Sequence, residues 1–312
     1  MVAAVDRAQA IGLDTLQIFS DNPTAWRRRA EPPSELGAFR TRVDTVGLGP
    51  IAIHASYLVN LAGPEELFHV KSVDGLRHEL SVAPTFGARF VNVHTGSHKT
   101  SGLEAGIARL ADGVAAALAD VPDGPDAAVL VLENSAGGGG GIGIDVAELA
   151  TVLAAIEARG VAPRRISICL DTAHLWGAGQ PINTVPGVDR LVAEFDATIG
   201  LDRLAMIHLN DSKSELGSRM DRHEHLGAGA IGPEGLARIL THPGLRHVTY
   251  YLETPGMDEG YDAVNAARAH ALAEGRPLAR LPPEAMNLPG SRARTGPSVE
   301  PAQDAEAAEL AR

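Results

Sequence analysis

The stretch "FVNVHTGSH" at residues 90–98 carries the pattern on which the fold turns: a short β-branched run, 90–93, closed at once by a histidine, His94. Six further aliphatic runs recur along the chain, at 15–19, 50–53, 128–132, 166–170, 204–207 and 248–252. Longer stretches rich in Ala, Leu, Arg and Glu separate them with helical spacing, 103–119 and 145–159 among them. Such alternation predicts β/α units and a parallel sheet. Six of the seven runs are followed directly by a potential metal ligand: His54 after "IAI", His94 after "VNV", Glu133 after "VLVL", Asp171 after "ISICL", His208 after "AMI" and Glu253 after "YYL". An open doubly wound sheet concentrates ligand groups at one switch point. A closed barrel brings the C-terminal ends of all its strands to one mouth, so groups from six strands can share a site. The pattern therefore predicts an α/β protein with a TIM-type (β/α)8 barrel, one catalytic domain over residues 1–276. Only seven strands are found, and a helix expected over 2–12 leads into the first, so the barrel is expected to lack its first β-strand. Either the start codon is placed too late or that strand has been lost.

The 312 residues, 45% hydrophobic and 21% charged, suffice for a large core without metal or disulfide. A single cysteine, Cys169, excludes an internal disulfide and a cysteine-based zinc site, and suits a reducing compartment. No uncharged run approaches the roughly 18 residues of a membrane span, so the expectation is a cytoplasmic protein with no membrane partner. The formal net charge of -12 opposes non-specific coating of nucleic acid, which depends on neutralising phosphates. Cations bound in a carboxylate-rich site would reverse that field locally. The run Arg27, Arg28, Arg29 reads equally as a contact for a phosphate backbone or as a solvated helix start. Residues 137–141, all glycine, predict a flexible loop; they lack the Lys-Ser/Thr ending of a phosphate-binding loop. Beyond about Arg276 the apolar periodicity stops, and 277–312 are expected to form a disordered Pro/Ala/Gly-rich tail.

Three more ligand candidates join the six at the strand ends: His174 in "DTAH", and Asp221 and His223 in "DRHEH". Singly, each reads as a helix cap or a hydrogen-bonded structural group; six at one topological position do not. Five histidines, four carboxylates and no thiolate suit zinc or manganese in a catalytic site. One metal uses three or four protein groups, so nine imply at least two ions, and three fit better. Asp171 and His174, three positions apart, can both reach the mouth where the strand breaks into a turn. Asp221 and His223 share one face of an extended segment. His98, Lys213, Glu224 and His225 are expected to support ligands or substrate by hydrogen bonding.

The strings "HASYLVNLA" (54–62), "VNVHTGSH" (91–98), "LENSAG" (132–137), "CLDTAH" (169–174), "HLNDSK" (208–213), "DRHEHLGAGAIG" (221–232) and "LETP" (252–255) resemble the signatures of the endonuclease IV family, AP endonuclease family 2. The resemblance runs from about residue 11 to Glu253. It implies a zinc-dependent apurinic/apyrimidinic endonuclease with three zinc ions per chain, manganese being an alternative occupant. His54, His94 and Glu133 would hold one ion; Glu133 would bridge to a second held by Asp171, His208 and Glu253; His174, Asp221 and His223 would hold the third. Glu133 and Glu253 are the expected catalytic carboxylates, and a hydroxide between the first two ions the expected nucleophile. The implied partner is double-stranded DNA containing abasic sites, cut 5' to the lesion to leave a 3'-hydroxyl, with removal of 3'-blocking groups as a further activity of a monomer. Tyr57 and Leu58 match the family's "SYL" segment, which enters the stack vacated by the flipped sugar. Thr24 stands where the family often carries an inserting Arg, leaving Arg27 or Arg28 to substitute. Two other readings stand beside this one: a metal-dependent sugar isomerase or epimerase on the xylose-isomerase-like barrel, and an inactive or truncated lesion-binding protein.

Overall fold

The computed structural model describes residues 1–288, in which helix and strand alternate: α1 (Val2–Ala10), β1 (Leu16–Ile18), α2 (Leu36–Val46), β2 (Ile51–His54), α3 (Glu66–Phe86), β3 (Ala88–His94), α4 (Leu103–Ala119), β4 (Val129–Glu133), α5 (Val146–Glu157), β5 (Ile166–Asp171), α6 (Thr172–Ala178), α7 (Val185–Thr198), β6 (Leu204–His208), β7 (Asp211–Ser212), β8 (His223–Glu224), α8 (Gly232–Thr241), β9 (Thr249–Tyr251) and α9 (Asp262–Ala273). Seven strands form one parallel sheet in the order β1-β2-β3-β4-β5-β6-β9. All seven expected runs are strands, with ends displaced by one or two residues, and the helix expected over 2–12 is α1. Spatial order follows chain order, the arrangement of a β/α barrel with a helix after each strand.

The barrel is open along one seam. β1 and β9 end the sheet without pairing to each other. A side chain spans the gap instead, Thr15 Oγ1 donating to the Tyr250 carbonyl at 3.2 Å. Outside it, α1 is tied to the α9 region by Arg7 and Asp262 at 2.6 Å and by His270 Nε2 donating to the Gly12 carbonyl at 2.9 Å.

Strand side chains alternate between the two faces, and here the faces have separate cores. Ile53, Val93, Leu130, Leu132, Ile168 and Leu170 join the helices in the main hydrophobic core. Ala52, Val131, Cys169, Met206 and Tyr251 form a second, buried cluster inside the barrel. His54, Glu133, Asp171, His208 and Glu253 each follow one of these five by two residues, so they lie on the same inward side one layer higher.

Two expectations are corrected. Residues 277–288 pack on the barrel rather than opening a disordered tail: Arg268 donates to the Ala279 carbonyl, His225 Nε2 donates to the Ala285 carbonyl at 3.0 Å, and Ala285 is buried. These donors hold backbone in a segment with no periodicity of its own; the remainder of that tail, 289–312, lies outside the described residues. The glycine run is an anchored turn, Gly138–Gly140, held by Ser97 Oγ on the Gly139 carbonyl and His98 N on the Gly140 carbonyl. Positive φ at Gly137, Gly139 and Gly140 accounts for its composition. Among the described residues no helix is long and apolar enough to cross a membrane.

Met206 lies fully buried beneath the ligand layer, so Met206→Ala should destabilise the protein by about 2–5 kcal/mol. Leu67→Ala, at a position 64% exposed, should change stability by less than about 0.5 kcal/mol. Urea denaturation of both variants checks the layer assignment; equal losses would refute it.

Candidate metal centre

All nine residues singled out from the sequence meet at the C-terminal mouth of the barrel. Backbone register delivers them: His94 lies opposite Glu133, Asp171 opposite His208, and His54 opposite Asn92. Three clusters result, within each of which the ligand atoms lie within 4.8 Å of one another: His54, His94 and Glu133; Glu133, Asp171, His208 and Glu253; and Asp171, His174 and His223. Asp221 completes the third, 3.2 Å from His174 Nε2 and 3.0 Å from His223 Nε2. Glu133 is shared between the first two, Oε2 standing 3.6 Å from both His54 Nε2 and His94 Nε2 while Oε1 is 3.3 Å from His208 Nδ1.

Local sequence explains the aim of several groups. Asp171 Oδ1 accepts from His174 N at 2.8 Å and caps α6, while Oδ2 turns to the site, 3.5 Å from His223 Nε2. Cap and ligand, alternatives when the sequence is read alone, are two ends of one carboxylate. The extended Asp221–His223 segment is held by the β7–β8 pairing, in which His223 lies opposite Ser212. Backbone carbonyls fix three imidazoles through Nδ1: Ala55 for His54 at 2.7 Å, Asn134 for His174 at 2.9 Å and Glu253 for His223 at 2.9 Å.

Three asparagines and a glutamine that sequence reading passed over complete the centre. Asn92 Nδ2 donates to Glu133 Oε2, and Asn210 Nδ2 to Asp171 Oδ2 at 2.6 Å. Asn134 Oδ1 accepts from Asp171 N at 2.6 Å, and Gln17 Nε2 donates to Glu253 Oε1 at 2.7 Å. The only sequence signal of the asparagines is closeness to a ligand, as in "NVH", "LEN" and "HLND", and Gln17 in "TLQIF" has none. Cys169 also comes near, clustering with Glu133 and His208, although the sequence excluded a cysteine site. Burial pushes its thiol up to about 11, so it remains a protonated, neutral neighbour. His225 and Glu224, expected to support the ligands, bind elsewhere: His225 to Asn265 and the Ala285 carbonyl, Glu224 towards Lys213 at 3.9 Å.

The arrangement fits a cation. Glu133 Oε1, His208 Nδ1 and His223 Nε2 are buried and lack hydrogen-bond partners among the described residues. Unsatisfied buried polar atoms are costly, and buried carboxylates more so without countercharge. Without metal, protons supply it: burial disfavours the charged form of His208, yet the carboxylates of Glu253 and Glu133 hold it well above the usual imidazole value. His174 is likewise raised, burial being outweighed by Asp171, Asp221 and Glu133.

Of the expected DNA contacts, Tyr57 is exposed at the mouth, its ring 5.4 Å from His54, 6.3 Å from His94 and 5.3 Å from Phe19. Leu58 is half-buried, with its amide on Ser56 Oγ, and Thr24 folds back onto Asn22. Arg27 is exposed on the loop between β1 and α2, outside the residues lining the cleft.

A family model described as a xylose isomerase-like TIM barrel matches residues 5–276. A probable endonuclease 4 from Methanoculleus marisnigri is 40% identical over 270 residues, covering 86% of this chain and 94% of the relative. Another, from Halorhodospira halophila, is 42% identical over 258 residues, covering 83% and 85%. The solved structure of endonuclease IV from Thermus thermophilus superposes with a TM-score of 0.75 at 38% identity, covering 88% of this chain and 94% of that one. A D-tagatose 3-epimerase-like protein, TM-score 0.63 at 16% identity, covers 88% and 92% and shares the fold.

A pH dependence follows for the metal-free protein. Burial opposes the charge on His223, but Asp171 and Asp221 outweigh it and raise its pKa from 6.5 to about 9. The stabilisation from its proton should be fully present below pH 6.5 and disappear as pH rises through about 9. Measured after chelation as the stability difference from His223→Gln, it should decline across that window; a flat difference would refute the assignment. Metal affinity should run the other way, weakening as pH falls, because ligation needs the neutral imidazole.

Proposed function

The chain belongs to the endonuclease IV family, and from that premise we propose that its metal centre hydrolyses the DNA phosphodiester 5' to an abasic site, leaving a 3'-hydroxyl. As a member it is a DNA endonuclease, a metal-dependent hydrolase. The observation that supports the finer reading is the convergence of nine N/O ligands on one mouth around buried atoms without partners. Three zinc ions are assigned to them: one to His54, His94 and Glu133; one to Glu133, Asp171, His208 and Glu253; one to His174, Asp221 and His223. Bound zinc would lower the pKa of water toward about 7 and neutralise charge developing on the phosphate oxygens.

The chain's own groups set the conditions for that chemistry. Glu133 presents one oxygen to each of two neighbouring clusters, so its rotation is fixed from both sides, with Asn92 holding Oε2. Four carboxylates at the mouth are balanced without metal only by histidine protons, so a phosphodiester meets a positive field there once divalent cations take their place, which couples DNA binding to metal loading. The exposed ring of Tyr57, edge-on to Phe19 and tilted against His54, offers a stacking surface to a base beside the lesion. A sugar isomerase would leave the cluster of His174, Asp221 and His223 without a task.

Zinc-loaded protein should cut a duplex bearing one abasic analogue on the 5' side of the lesion and lose this activity in strong chelator; an intact strand overturns the proposal. Glu133→Gln should lower kcat by about 10²–10³-fold, the scale of removing one preorganised charge-stabilising group, with a smaller effect on duplex binding. Tyr57→Ala should weaken lesion-duplex affinity by about 1–3 kcal/mol, read by fluorescence anisotropy, if its ring stacks on a base.

A further inference from the structure

Gln17 occupies the inward face of β1, the strand whose outer edge has no strand partner among the described residues. Its amide touches two residues of the centre: Nε2 is 2.7 Å from Glu253 Oε1, and Oε1 is 3.0 Å from His208 Nε2. An ionised carboxylate only accepts hydrogen bonds, so the nitrogen end of the amide must face Glu253 and the oxygen end His208. The amide oxygen in turn only accepts. The proton of a neutral His208 therefore lies on Nε2, and Nδ1 keeps its lone pair. That Nδ1 is 3.3 Å from Glu133 Oε1 and 3.2 Å from Glu253 Oε2, buried and without a hydrogen-bond partner.

His208 thereby differs from His54, His174 and His223. Those three use Nδ1 on a backbone carbonyl and turn Nε2 to the site. His208 is reversed, and a side chain from a different strand sets its orientation. Glu253 gains from the same amide, because it stands beyond the end of β9 on the far side of the open seam.

We infer that Gln17 is a positioning residue of the metal centre: one amide selects the tautomer of His208 that offers Nδ1 to the metal, and clamps Glu253 across the unpaired seam. At the level of the ligands it takes the place of the backbone ladder that joins every other neighbouring pair of strands. The assignment rests on the metal-binding reading above. Gln17 touches no reacting atom; it acts through His208 and Glu253.

The test is made on the full-length chain loaded with zinc. Long-range nitrogen–proton NMR of the histidines should find His208 protonated at Nε2 and coordinated through Nδ1. Gln17→Met, nearly isosteric but without the amide, should weaken zinc affinity in chelator competition by about 10–100-fold, the range for groups that orient metal ligands. It should also change the visible spectrum of the cobalt-substituted protein. Thr15→Val removes the other hydrogen bond across the seam and should leave zinc affinity unchanged. Coordination of His208 through Nε2, or wild-type affinity in Gln17→Met, overturns the assignment, as does an equal loss in Thr15→Val, which would mean only that the seam had loosened. Should Gln17→Met fail to fold, the wild-type spectrum still decides the tautomer. A wild-type chain that retains no zinc defeats the metal reading itself and the Gln17 assignment with it, whereas retained zinc with His208 bound through Nε2 defeats the assignment alone.

Discussion

Glu133 is a carboxylate with no exposure to water, placed among imidazoles from four other segments of the chain. Among the described residues its ion-pair partners are all histidines, whose charge depends on protonation. A buried charge of this kind is tolerated only with a partner of opposite sign, and the surrounding architecture is organised around supplying one. Strand ends converge on it, Asn92 restrains it, and the surrounding carboxylates favour protonated His174 and His208, whose charge stands where a cation's would on binding. Metal loading is thus an exchange of one set of positive charges for another. The strands that carry the ligands are packed on both faces, by two separate apolar cores.

Much of this was legible in the sequence, for a physical reason. A strand of a parallel sheet is apolar on both faces, so its end is marked by the first polar residue, and in a barrel that residue stands at the mouth. His54, His94, Glu133, Asp171 and His208 are each the last residue of a strand. The helices 103–119 and 145–159 were visible for the same reason of period, the second being shorter in the structure at Val146–Glu157. The contacts of Asn92, Asn134, Asn210 and Gln17 were not legible, because they depend on the register between strands, which one chain's pattern does not encode. Nor was the packing of 277–288, where side chains of Arg268 and His225 capture a segment with no periodicity.

The loops around the mouth are organised differently from the ligand clusters. Trp26 is held near Lys71 of α3, with the ammonium 5.9 Å from its ring, and Arg29 is paired with Asp21 at 3.1 Å. The loop between β1 and α2 is therefore anchored at Trp26 and Arg29, leaving Arg27 exposed between them. Tyr57, by contrast, is carried two residues beyond a fully buried Ala55 and packs directly on a metal-cluster imidazole. Its position is tied to the ligand set in a way the arginines' positions are not.

The inner cluster of Ala52, Val131, Cys169, Met206 and Tyr251 has an effect beyond packing. Each residue is buried, and together they close the interior just below the ligands. The barrel is thereby stoppered at its waist, and the ligand layer opens only above it, at the mouth and along the cleft that follows the β1–β9 seam to α1. On the function proposed above, a duplex lying across the mouth would cover one of these openings and leave the seam as the other way to the ligands.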